Sequence, residues 1–194
     1  NVADREAVQV TDLLGAPNAG VVAEKAGALS AAQRAASPLF LPYLGGERTP
    51  HNDANVRGSF HGLSFDTDAA RLGYAVIEGV TFGLKDGLAA LNAAGSTVNR
   101  LSLVGGGARS TFWAQQLATA LDVEIVTHGS SAVGGALGAA RLGWLATGAA
   151  QADVGFFVGE VVIPPRHPQA ALGDLQQVAG RIDRVAVHHD VDHR

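Results

Sequence analysis

Arg100-Leu101-Ser102-Leu103-Val104-Gly105-Gly106-Gly107-Ala108-Arg109-Ser110-Thr111-Phe112-Trp113 is the stretch whose reading decides the fold. Arg100 to Val104 alternates like a strand, three glycines interrupt it, and Phe112, Trp113, Leu117 and Leu121 then recur on one helical face. Val123 to Thr127 is rich in β-branched residues and reads as a second strand. A strand, a helix of about three turns and a strand make a parallel βαβ unit with a right-handed crossover, which places the chain in the α/β class.

Downstream, His128-Gly129-Ser130-Ser131 leads into a helix with Val133, Leu137, Ala140 and Trp144 on its apolar side. Gly134 and Gly138 lie one turn apart on it and would admit a neighbouring backbone, and Gly148 is its expected stop. Residues 156 to 163 predict one short strand ended by Pro164-Pro165, and residues 171 to 185 a terminal helix. Upstream, Leu72, Val76, Val80, Leu84 and Leu88, with Ile77 and Leu91 beside them, predict a long amphipathic helix from Asp66 to Gly95. Asp66, Thr67 and Asp68 supply capping and anionic groups at its start. Residues 57 to 65 read as an irregular strand, and Pro38 to Leu44 as an edge strand or extended segment. Two short helices, 5 to 14 and 19 to 28, precede them and are separated by Pro17.

Composition narrows the function classes. Fourteen Lys plus Arg against eighteen Asp plus Glu leave a net charge of −4, which removes the bulk electrostatic case for nucleic acid or an anionic membrane. No stretch reaches the ~18 apolar residues of a membrane span. With 47% apolar residues the chain can bury a core, and with no Cys it has no disulfide framework, thiolate metal site or thiol nucleophile. A reducing cytoplasm is the default location. The chain opens on Asn1 and contains no Met, which suggests a piece of something longer.

The glycine turn is the leading candidate site. A strand that runs through three glycines into a helix lets a ligand touch backbone and points free amides at it. Ser110 would cap the helix, and Arg109 could reach a phosphate or stack on a base. A tight turn that binds nothing is the alternative. A P-loop is excluded because the chain has no Gly-Lys pair. A dinucleotide site is disfavoured by Ser110 where a third glycine or alanine belongs, and by a following strand that ends at Thr127-His128 without a carboxylate. A mononucleotide fits better. The loop Glu47-Arg48-Thr49-Pro50-His51-Asn52-Asp53 either lines a polar cleft or is a solvated loop whose charges pair with one another. Glu78, beside Ile77, is expected to be partly buried in a structural ion pair. His188, His189 and His193 have ligand-type side chains but no scaffold, so no metal site is assigned.

Several motifs resemble a known family when taken together. FLPYLGGERTPHND at 40–53, RGSFHGL at 57–63, AVIEGV at 75–80, LVGGGARSTFWAQQ at 103–116 and GGALGAARLG at 134–143 resemble the C-terminal domain of the FGGY family of carbohydrate kinases, in its xylulose kinase branch. The resemblance implies a ribonuclease H-like, actin-like ATPase fold, this chain being part of the C-terminal domain of a two-domain sugar kinase with ATP and sugar in the cleft. It implies residues 1–37 as a helical connecting segment, 38–150 as the nucleotide-binding domain, and 151–194 as a tail. Gly58, Phe60, Gly62, Leu63, Ala75, Val76, Ile77 and Glu78 fall where a family signature expects them, and Arg71 departs from it. Gly105, Gly106 and Gly107, followed by Ala108 and Ser110, match the family's adenosine-binding turn.

The implied reaction is phosphorylation of a pentulose, D-xylulose to D-xylulose 5-phosphate, with ATP as donor and Mg²⁺ carried by the nucleotide. The resemblance puts the sugar-binding residues and catalytic aspartate in an N-terminal domain and the phosphate loops outside this stretch, so no catalytic residue is assigned here. The chain alone is then expected to be inactive. A homodimer is one of the assemblies left open. Other readings are a kinase of glycerol, gluconate, ribulose or fuculose, a non-catalytic nucleotide-binding or regulatory module, and a Rossmann-like domain for NAD or S-adenosylmethionine.

Overall fold

A computed structural model describes residues 19–129, 134–148 and 160–166. The helix expected at 5–14, Pro17, Val133, the start of the strand expected at 156–163, the terminal helix and the histidine tail lie outside these residues.

Helix α1 (Ala19–Gly27) and the short α2 (Ala31–Ala35) open the described chain. Ser30 begins α2 with a capping box: its hydroxyl accepts from the Gln33 amide, and the Gln33 side chain accepts from the Ser30 amide. Arg34 reaches back to cap α1, donating to the carbonyls of Leu29 at 3.0 Å and Gly27 at 3.1 Å. Its guanidinium lies over the rings of Tyr74 and Phe112.

Strands β1 (Leu39–Leu41) and β2 (Ser59–His61) pair antiparallel, Phe40 opposite Phe60 with ring centroids 4.6 Å apart. Both are shorter than the sequence predicts. Pro42 has no amide to continue the ladder, and Gly62, at φ +80°, turns the chain out of it.

The long helix is present as α3 (Ala69–Ala93). Asp68 caps it by accepting from the Arg71 amide at 2.8 Å, and Gly95, at φ +94°, carries the chain away at the other end. α3 is the spine, touching α1, β1 and the next long helix. Gly79 permits the contact with β1, since a side chain there would meet the Phe40 carbonyl.

Beyond α3 the predicted βαβ unit forms. β3 (Arg100–Ser102) runs parallel to β4 (Glu124–His128), and helix α4 (Thr111–Leu121) joins them across one face. β3 ends before Val104, although the Leu103 amide still donates to the Val126 carbonyl at 2.8 Å. Leu88, Ala114, Leu117, Ala118, Val123 and Ile125 form the main core between α3, α4 and the sheet, with Leu101, Leu103 and Ile163 packed against it. A second cluster, Ala26, Leu29 and Tyr74, joins α1 to α3.

Helix α5 (Gly134–Ala146) follows β4, and Gly148, at φ +92°, lies just past its end. Gly134 sits against Val104, 3.4 Å from where a Cβ would be. Gly138 does not share this role, because a Cβ there would meet nothing within 4 Å among the described residues. Strand β5 (Glu160–Ile163) then pairs antiparallel with β4, so the sheet order is β3-β4-β5. Arg100 crosses the three strands, meeting Glu124 at 3.8 Å and also pairing with Glu160.

Candidate functional site

The three glycines lie just past the carboxyl end of β3, where an open α/β sheet offers a crevice to ligands. Gly105 has φ +91° and ψ −174°, a conformation natural only to glycine. Gly106 to Arg109 then make one 3₁₀ turn, closed by the Ala108 amide on the Gly105 carbonyl at 3.1 Å and the Ser110 amide on the Gly107 carbonyl at 3.0 Å. All five predicted site residues, Gly105, Gly106, Gly107, Ala108 and Ser110, therefore share one turn. Among the described residues, a Cβ placed on Gly105 or Gly106 would meet no atom within 4 Å, so this rim is open there.

Gly107 faces the other way. A Cβ there would overlap the Trp113 ring, so the indole lies directly behind the turn. Ser110 acts as the predicted cap of α4, its hydroxyl accepting from the Trp113 amide at 3.1 Å. Other first-turn amides of α4 lack intrahelical acceptors by geometry, and with the helix dipole they give this end a positive potential. Arg109 is exposed beside the turn.

Thr81 is a contributor the sequence did not disclose. It is buried on α3, where its hydroxyl accepts from the Trp113 indole N–H at 3.1 Å and donates to the Ile77 carbonyl at 2.7 Å. A threonine within a helical pattern gives no sign of a partner 32 residues away. Ser102 and His128, on the two parallel strands, also approach, Oγ to Nε2 at 3.4 Å.

The 47–53 loop is closed on itself. Glu47 and Asp53 exchange backbone hydrogen bonds at 2.8 and 2.7 Å, and the Glu47 carboxylate accepts from the Thr49 amide at 2.8 Å. His51 is drawn to the buried Tyr43, Nε2 to phenol oxygen at 3.0 Å. Burial pushes the Tyr43 phenol above its ordinary value of 10.0, helped by the negative charges of Asp86 and Glu47 and a hydrogen bond with Asp86. Glu78 is buried as expected, and its carboxylate accepts from the Tyr74 hydroxyl at 2.9 Å. Arg71 keeps its Nε buried, without a hydrogen bond among the described residues.

Among the described residues no group of three or more His, Cys, Asp or Glu is arranged to hold a metal, and no helix is long and apolar enough to cross a membrane.

The sequence profile of the C-terminal domain of FGGY carbohydrate kinases matches residues 5–147. The chain belongs to this family. The Escherichia coli xylulose kinase is 44% identical over 122 residues, which cover 61% of this chain and 25% of that enzyme. A gluconokinase of Bacillus subtilis is 39% identical over 111 residues, 57% of this chain and 21% of its own. Among solved structures, a xylulose kinase from Brucella ovis superposes with a TM-score of 0.72 at 37% identity, covering 97% of this chain and 39% of that one. The chain thus spans about a quarter of the length of the curated relatives it matches. Its architecture is the FGGY C-terminal domain, within the actin-like, ribonuclease H-like ATPase class of mixed sheet and helix.

Proposed function

We propose that this chain is the adenosine-binding half of an ATP-dependent sugar kinase, and that the sugar is a pentulose, D-xylulose, converted to D-xylulose 5-phosphate. The observation that carries the proposal is the open rim at Gly105 and Gly106, backed by Trp113. Two glycines with free space beyond them let a purine nucleoside lie on the backbone itself, a fit that any side chain would prevent. Phosphates leaving that seat run toward the positive start of α4 and the exposed Arg109. Xylulose kinases are prominent among the relatives, which favours D-xylulose, while the gluconokinase at 39% identity marks gluconate as the second sugar to test.

In this reading the γ-phosphoryl group passes in line to a sugar hydroxyl, and the hydroxyl proton goes to a base in the companion domain, which also holds the sugar. Mg²⁺ comes with the nucleotide and offsets phosphate charge there. The present chain binds the nucleoside end and forms one wall of the cleft that excludes water. The division into a connecting segment (1–37), a nucleotide-binding domain (38–150) and a tail (151–194), and a cytoplasmic location, belong to the same proposal.

The test is a substitution that changes the seat and leaves the fold alone. Gly106→Val adds a side chain whose Cβ touches no atom of the described residues, so unfolding free energy should stay within about 0.5 kcal/mol of the parent. Saturating ATP·Mg²⁺ should raise the melting temperature of the parent, a ligand at 100 times its Kd contributing about 2.7 kcal/mol. Gly106→Val should lose that rise. Stabilisation by NAD or S-adenosylmethionine instead of ATP, or equal ATP binding by both proteins, would sink the proposal.

A further inference from the structure

We propose that Trp113, held in place by Thr81, is a positioning residue that fixes the shape of the glycine turn for nucleotide, an inference that rests on the nucleotide reading above. The three glycines that open the turn have no side chains to hold it. Gly105 and Gly106 meet no neighbour among the described residues, and the 3₁₀ turn is closed by two backbone bonds, Ala108 to Gly105 and Ser110 to Gly107. Glycine loses more backbone freedom on ordering than any other residue, so three in a row need an outside support to keep one conformation.

The indole is that support. Its six-membered ring fills the space behind Gly107, and a Cβ at this position would overlap it. The ring cannot drift, because it is fixed at both ends. Its backbone amide is bound by the Ser110 hydroxyl at 3.1 Å, and its N–H is bound by Thr81 Oγ1 at 3.1 Å. Thr81 is itself oriented: buried at 3% exposure, it donates to the Ile77 carbonyl, so its lone pair points at the indole. A chain of contacts therefore runs from the spine helix α3 through Thr81 and Trp113 to Gly107, and none of these side chains needs to touch the nucleotide. An ordered seat spares the ligand the cost of ordering it, which appears as affinity.

Two variants remove the link from opposite ends. Thr81→Val keeps shape and loses the acceptor, and Trp113→Phe keeps an aromatic ring behind Gly107 and loses the donor. Each should raise the Kd for ATP·Mg²⁺, read by isothermal titration on the full chain well below its melting temperature, by about five- to tenfold, the equivalent of one hydrogen bond of about 1 kcal/mol or a little more. The double variant should be no weaker than the worse single one, and Thr81→Ser, which retains the hydroxyl, should bind like the parent. A residue that served stability alone would lower the melting temperature and leave Kd unchanged, which overturns the inference. If the parent binds ATP and both single variants bind it equally well, the positioning role fails while the site stands. If Gly106→Val binds like the parent, the site itself is wrong and the inference falls with it.

Discussion

The turn at 105–110 and the loop at 47–53 are both short connections, but they use their residues in opposite ways. The loop is rich in reactive side chains and spends them internally: Glu47 accepts the Thr49 amide, Glu47 and Asp53 bridge through backbone, and His51 meets Tyr43. The turn opens on three residues without side chains, and its support comes from Trp113 behind it and from its own last residue, Ser110. A cluster of polar residue types in sequence can thus be consumed by its own contacts, while a run of glycines keeps one side of its backbone uncovered among the described residues. Polar groups can satisfy each other at short range, whereas a glycine with no neighbour on one side leaves backbone open to contact.

Substitutions on either side can break that contrast. The largest effect is expected at Gly107→Ala, where the added methyl enters the Trp113 ring and something must shift. Overpacking of this kind costs about 1–3 kcal/mol, and urea titration should show a lower midpoint at unchanged slope. If stability is unaffected, the indole does not sit behind the turn as described. Ser110→Ala comes next: it removes the α4 cap and should cost about 1 kcal/mol, with helix loss visible by circular dichroism only near the transition. A null result would mean that Trp113 needs no hold at its amide.

The smallest effect belongs to the loop and depends on pH. The folded phenol of Tyr43 titrates above the unfolded one, near 10.0, so the folded state binds the extra proton between the two values. Its contribution is present in full below pH about 10 and is lost as pH rises past that point. Tyr43→Phe, which gives up the part-buried bond to His51, should lower stability by about 0.5 kcal/mol at neutral pH. The deficit should shrink in melts taken from pH 9 to 11. A constant deficit would mean that the phenol titrates alike in the folded and unfolded chains.

What the sequence revealed follows the range of the interactions. Local signals were legible: the period of Leu72 to Leu88 gave α3, Asp68 and Ser110 cap where their residue types predict, and the glycine turn opens at the end of a parallel strand. Pairings between distant segments were not. β5 reads as a strand, but its antiparallel place against β4, Ile163 opposite Ile125, follows from the tertiary path alone. The same holds for Thr81, whose tie to Trp113 crosses from one helix to another, and for Gly138, whose helical spacing from Gly134 says nothing about which side meets Val104. Resemblance of several motifs in order carried the family assignment where single spacings could not.

Arg34 gives the molecule a rivet. One guanidinium grips the last carbonyl of α1 at Gly27 and that of Leu29 beyond it, while resting on Tyr74 of the spine and on Phe112, the neighbour of Trp113. A protease that cut the short connection at Ala28 would leave the severed helix still fastened across the gap, by this arginine and by the packing of Ala26 with Tyr74.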